Sequence, residues 1–99
     1  MSADTLDTFG RPVVAITGVG VVSSLGRGVE ENWTALTQGR SGIHRITRFP
    51  TENLRTTIAG IVDFMDVEPW SGIDLSYALA EAAGTEAIES AGLDARLAA

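Results

Sequence analysis

Cysteine and lysine are both absent from these 99 residues, and histidine occurs once, at His44. Without cysteine the chain has no disulfide framework, no thiolate metal site and no cysteine nucleophile. A single histidine builds no metal cluster, and no Ser-His-Asp set has a spacing that suggests a triad. Positive charge is also scarce: seven arginines face 13 carboxylates, for a formal net charge of −6. That balance argues against a general nucleic-acid binder, because phosphate binding needs a positive field. Long apolar runs are lacking too. The longest, from Pro12 to Val22, is broken by Thr17, Gly18 and Gly20 and is too short to cross a bilayer. Residues 1–11 are polar, with Asp4 and Asp7, and carry neither the basic cluster nor the apolar stretch of a signal peptide. No membrane, no nucleic acid and a cytoplasmic location are therefore expected.

What is present is enough apolar material, 44% of residues, for a core in one domain. Residues 1–11 read as a flexible leader and 12–99 as the organised part. Val13-Val14-Ala15-Ile16-Thr17 is β-branched and does not alternate with polar residues, the pattern of a strand buried on both faces in a parallel sheet. Gly18 and Gly20 end it, since glycine lets the backbone turn sharply. A helix follows from about Val29 to Gln38, with Val29, Trp33 and Leu36 on one face, Glu30 and Glu31 in its first turn, and Gly39 closing it.

Residues 40–56 mix glycine, proline and charge with single apolar residues and read as a long irregular connection, either a functional surface or an arm packed on its own domain. Thr57-Ile58-Ala59-Gly60-Ile61-Val62 reads as a second strand, with Gly60 at a bulge or close approach. After a connection holding Pro69 and Trp70, a helix runs from about Leu75 to Ala91, capped by Ser71 or Asp74 and closed by Gly92. Its column of Leu75, Leu79, Ala83, Ala87 and Ala91 suits close approach to a sheet or helix. The order strand, helix, strand, helix gives an α/β fold class.

Four features invite a chemical reading. Gly18-Val19-Gly20 before a helix has the start of a dinucleotide fingerprint, but Ser23 stands where the third glycine belongs, so a tight turn is the better reading. Gly39-Arg40-Ser41-Gly42-Ile43 has glycines but neither the spacing nor the lysine of a P-loop. Histidine as a residue type is a common acid–base group, but the lone His44 reads as a solvated or hydrogen-bonded loop residue. Arg40, Arg45, Arg48 and Arg55, diluted by Glu52, make the one locally positive stretch: a docking surface for an acidic partner, or a solvated loop with structural ion pairs. No catalytic, cofactor-binding or metal residue is assigned.

The order of motifs resembles the opening of β-ketoacyl-acyl-carrier-protein synthases. Val13 through Thr17, Gly18-Val19-Gly20, Val21-Val22, Ser23 and Gly26 are similar to that family's first strand and its T-G-x-G turn. Trp33-Thr34-Ala35-Leu36 with Gly39-Arg40-Ser41-Gly42-Ile43 resembles its W-x-x-L-x-x-G-x-S-G-I. Phe49, Ala59-Gly60, Phe64, Tyr77-Ala78-Leu79-Ala80 and Ala91-Gly92-Leu93 follow in the family's order, so the likeness covers residues 12–93. One departure lies between Phe64 and Tyr77, which is shorter than usual and lacks the basic residues that commonly precede the Asp74 region.

The resemblance implies the N-terminal part of a thiolase-like, layered α/β/α/β/α fold and an acyltransferase working in fatty-acid or polyketide assembly. An acyl group carried on a cysteine thiolate is attacked by malonyl-carrier protein as CO2 leaves, with two histidines stabilising the developing charge. No cofactor is implied; the expected partners are acyl carrier protein and a second protomer. His44 lies outside the family's histidine motifs, so the catalytic residues are expected beyond Ala99 and these residues alone are expected to be inactive. Two alternatives share the sequence: a non-catalytic, chain-length-factor-type subunit of the same fold, distinguished by the residue at the nucleophile position, and a small self-standing interaction module, distinguished by size and melting.

With the first strand flanked in such a fold by strands formed later, the isolated 99 residues should be partly molten or aggregation-prone. A broad, non-cooperative thermal transition with poorly dispersed amide resonances is the expected result; a sharp melt with dispersed signals would contradict it.

Overall fold

The chain is described by a computed structural model covering residues 5–68 and 71–93; residues 1–4 of the expected leader, Pro69 and Trp70 of the connection, and residues 94–99 lie outside the described residues. Two antiparallel strand pairs alternate with two helices. A minimal hairpin, β1 (Val22–Ser23) and β2 (Gly26–Arg27), leads into α1 (Val29–Thr37). A second pair, β3 (Ile43–Arg45) and β4 (Ile58–Gly60), precedes α2 (Gly72–Ala91). The pairs form two separate two-stranded sheets, with Val22 opposite Arg27 and His44 opposite Ala59. The result is a small α/β unit.

Local chemistry sets the helix ends. At the start of α2, Ser71 Oγ accepts from the Asp74 amide at 3.1 Å, and the Asp74 carboxylate sits in the first turn, where the helix dipole favours it. At its end Gly92 takes the left-handed conformation (φ 72°). The Gly92 amide donates to Glu89 O and the Leu93 amide to Ile88 O, closing the last carbonyls in a Schellman arrangement. Gly39, at φ 67°, closes α1 in the expected place.

The segment read as a buried first strand differs. Val13–Thr17 belongs to no strand, and Val14 and Ile16 are 88% and 87% exposed. A strand is held by neighbours that take its N–H and C=O groups, and what lies beside Val13 is the preceding turn: the Val13 amide donates to Thr5 O at 2.8 Å, and Leu6 bridges Pro12. Within that turn Asp7 accepts from the Phe9 and Arg11 amides and pairs with Arg11 Nε at 2.7 Å, while the Arg11 guanidinium lies 5.0 Å from the Phe9 ring centre. The Arg11 amide foremost, with the Phe9 amide and the Arg11 side chain, holds the Asp7 carboxyl below its ordinary pKa.

Gly18 and Gly20 serve a different purpose from a sharp turn. Neither has a positive φ. Their backbone lies directly on the alanine column of α2. A Cβ at Gly18 would stand 2.6 Å from Ala91 N and 2.8 Å from its Cβ; one at Gly20 would stand 2.8 Å from Ala87 N and press on the Ala83 carbonyl oxygen. Small residues on both sides allow backbone to meet backbone. The turn of the first hairpin in turn rests on the second: a Cβ at Gly42 would come within 3.0 Å of Leu25 Cδ2, and one at Gly60 within 3.1 Å of Ser24 Oγ.

Residues 40–56, read as an irregular connection, contain β3; Ile46 N–H to Thr57 O at 2.9 Å extends the pairing. Three residues are too few for the alternation that announces a strand, and His44 and Arg45 are poor strand signals. The apolar stripe of α1 also faces away from the expected core. Trp33 is 66% exposed, and the buried residues of α1 are Asn32 and Ala35. Leu75 is the buried anchor of α2, beside Val62, Met65 and Val67. The chain exposes 7727 Å², against roughly 5400 Å² from the area–mass scaling for a folded monomer of its mass. Its radius of gyration is 18.7 Å, against roughly 13 Å for a compact domain of this length.

Gly20→Val places branched carbon where Ala83 and Ala87 backbone already stands, so it should destabilise the protein by at least the ~1–3 kcal/mol typical of overpacking. Loss of the helical circular-dichroism signal along a urea titration, which needs no sharp transition, checks this; superimposable curves for parent and variant would show that the glycine does not touch α2.

Candidate functional site

The most organised polar chemistry lies where the first hairpin, the start of α1 and the last half of α2 meet. Glu86, projecting from α2, accepts from two main-chain donors: Val21 N–H through Oε1 and Val29 N–H through Oε2, both at 2.9 Å. Val29 is the first residue of α1, whose preceding Gly28 (φ 97°) supplies no side-chain cap. The carboxylate of another helix therefore caps α1 and meets the positive end of its dipole. The Val29 amide foremost, then the Val21 amide, hold the Glu86 carboxyl below its ordinary pKa of 4.5, against a smaller opposing effect of desolvation.

One turn into α1, Asn32 is 7% exposed. Its Nδ2 donates to Gly26 O at 3.0 Å and Gly28 O at 2.7 Å, and its Oδ1 accepts from Ser23 Oγ. Ser23 Oγ in turn accepts from the Leu25 amide at 3.1 Å. Glu31 Oε2 takes the Arg27 amide at 2.7 Å. The amide nitrogen and oxygen are thus both engaged, the bonds to Gly26 and Ser23 holding the hairpin on the helix and the bond to Gly28 closing on the helix's own N-cap, as a buried polar group requires. None is aimed at an outside ligand.

Beside this junction an open cleft of about 700 Å³ is lined by Arg27, Asp66, Glu81, Glu86 and Glu89, with Val22 and Met65 among its apolar residues. One arginine faces four carboxylates, so the cleft repels anions. Among the described residues no group of three or more His, Asp or Glu is arranged to hold a metal ion, and no helix is long and apolar enough to cross a membrane.

The features singled out in sequence fall elsewhere. The space a dinucleotide phosphate would need at Gly18 and Gly20 is filled by α2. Gly42 abuts Ser24 and Leu25 rather than an open cradle. His44 is half-buried in β3, and its imidazole makes no hydrogen bond or ion pair among the described residues. Arg45 is on β3, Arg48 and Arg55 lie on the connection between β3 and β4, and Arg40, just after α1, donates to Gln38 Oε1 at 2.6 Å. The structure does not bring these features together into a reaction centre. Asn32 and Glu86 escaped the sequence reading, which took Ser23 only as a turn residue and a position of the family-like motif. Their signals were an amide inside a helix and a carboxylate next to an alanine column, both costly unless something nearby uses them.

Residues 11–98 match the profile of the beta-ketoacyl synthase N-terminal domain. The 3-oxoacyl-[acyl-carrier-protein] synthase 2 of Vibrio cholerae is 39% identical over 87 residues, 82% of this chain and 21% of the relative. The protein of the same name from Coxiella burnetii is also 39% identical over the same shares. A Streptomyces cyaneus protein, named among polyketide beta-ketoacyl synthases, is 38% identical over 82% of this chain and 21% of its own length. The chain spans about a fifth of the length of these relatives.

Because the folded-state pKa of Glu86 is depressed, its contribution to stability is present above pH 4.5 and lost as pH falls through the lower folded value. Glu86→Gln should therefore lower stability at pH 7 and flatten its decline between pH 4.5 and the acid limit, as read by denaturation at successive pH values. Parallel curves for parent and variant would contradict this linkage.

Proposed function

This chain belongs to the β-ketoacyl synthase family, and on that premise we propose that it is the N-terminal scaffold segment of a 3-oxoacyl-acyl-carrier-protein synthase. The observation that carries the reading is the match along residues 11–98, combined with the use that the family-like motifs find in the fold. Gly18-Val19-Gly20 lies on α2, Ser23 and Gly26 hold Asn32, and Gly42 and Gly60 receive the Ser24 turn. These residues position backbone.

The proposed reaction of the whole enzyme is decarboxylative condensation. An acyl group is held as a thioester on a cysteine; malonyl-carrier protein loses CO2, and the electron pair left on its α-carbon attacks the acyl carbonyl. The carbon–sulfur bond breaks, returning the thiolate and leaving a 3-oxoacyl thioester on the carrier. The chain has no cysteine, so that nucleophile belongs to another part of such an enzyme, and these residues alone are inactive. The proposal includes a layered α/β/α/β/α architecture, a homodimer, acyl carrier protein as partner and a cytoplasmic location, with no membrane or nucleic acid involved.

A chimera tests it. Residues 11–98 are grafted in place of the matching segment of the Vibrio cholerae synthase, and condensation of acyl and malonyl carrier thioesters is measured. Activity within about tenfold of the parent, a loss of no more than about 1.4 kcal/mol in transition-state stabilisation, is expected, with none from the 99 residues alone. A chimera that folds but condenses nothing, or turnover by the isolated chain, would overturn the reading.

A further inference from the structure

The chain has no cysteine and two methionines, Met1 and Met65, so all its oxidisable sulfur is thioether sulfur. Met65 lies on the connection from β4 to α2, where the Val67 amide donates to Met65 O at 3.0 Å and turns the chain tightly around Asp66. Its place between two cavities sets it apart. On one side is a small cavity of about 120 Å³, shared with Val62, Val67 and Leu75, the buried anchor of α2. On the other is the open cleft of about 700 Å³, whose wall it shares with Ala78, Ala82 and Glu86 of the same helix. The residue is half-buried, so it both packs the start of α2 and stands within reach of a small solute.

The cleft selects which solute arrives. With one arginine among four carboxylates it turns anions away and leaves entry to small uncharged molecules. Hydrogen peroxide is such a molecule, and a thioether is among the side chains it oxidises. The product is a polar sulfoxide in place of a flexible apolar chain. Its oxygen is a strong acceptor that draws water between the connection and Leu75, where the thioether excluded it.

We propose that Met65 is a peroxide-sensitive modification site whose oxidation to the sulfoxide releases the β4–α2 connection from Leu75 and loosens the first turn of α2. A sulfur lone pair attacks one peroxide oxygen; the O–O bond breaks as the S–O bond forms, and the second oxygen leaves as water with both protons. The sulfur loses two electrons and the peroxide gains them. The site is independent of the reaction proposed above.

The test treats the 99-residue protein with hydrogen peroxide and digests it with trypsin. Oxidation of Met65 is read as a gain of about 16 Da in the peptide that follows Arg55, which does not contain Met1. The same chain in urea gives the reference rate, and Met65 in the folded protein should oxidise within about tenfold of it. In the oxidised protein the Asp74 and Leu75 amides, held by Ser71 Oγ and Ser71 O at 3.1 Å, should exchange with solvent at least about fivefold faster, with the Gly92 amide at the far end of α2 unchanged. Met65→Leu, close in volume, should keep those two amides at the parent rate and abolish their response to peroxide; Met65→Gln should speed them with no oxidant present. A folded-state oxidation rate more than about tenfold below the reference overturns the proposal. So does oxidation that leaves the Asp74 and Leu75 amides unchanged, an equal response to peroxide in Met65→Leu, or open-chain exchange of those amides in the untreated parent.

Discussion

Two main-chain N–H groups eight residues apart in sequence, at Val21 and Val29, point at one carboxylate carried by α2. That shared acceptor, Glu86, is the constraint on which the rest of the arrangement hangs. By holding Val21 it fixes where the glycine segment leaves α2; by holding Val29 it fixes where α1 begins. Between those points the chain has little freedom, and the minimal hairpin Val22–Arg27 fills the gap. The Gly28 amide donates back to Val21 O at 2.8 Å, closing the loop on itself. Asn32 then locks the hairpin to the helix from the inside.

The glycines complete this picture. A carboxylate of ordinary length reaches Val21 only because the backbone at Gly18 and Gly20 lies within Cβ distance of α2. Alanine at 83, 87 and 91 supplies the other half of that fit. The motif that most clearly identifies the family is thus, in this chain, a packing device: close approach, rather than an unusual backbone angle, is why glycine stands there.

Much of this was legible in the residues, and the parts that were not share a cause. The helices and their ends were readable because caps and closing glycines are local chemistry: Ser71, Gly39 and Gly92 sit where the pattern puts them. The family, too, was legible from motif order. The first strand was not. Val13–Thr17 has the composition of a buried strand, yet composition states a preference that only neighbouring strands can satisfy, and here the segment is exposed. The same holds for Trp33 on α1. Conversely, β3 and the Glu86 bridge went unread because their partners are distant in sequence; no local pattern announces a carboxylate that will meet an amide 57 residues away.

Amide hydrogen exchange in the intact protein tests the Glu86 bridge most directly. Above pH 6, where the carboxylate is charged, Val21 and Val29 should be protected together, and Glu86→Gln should speed both by about tenfold or more while leaving the Gly92 amide, held by its own helix end, unchanged. Parent amides at Val21 and Val29 exchanging at the rate of an open chain would contradict the bridge and, with it, the seating of the glycine segment on α2.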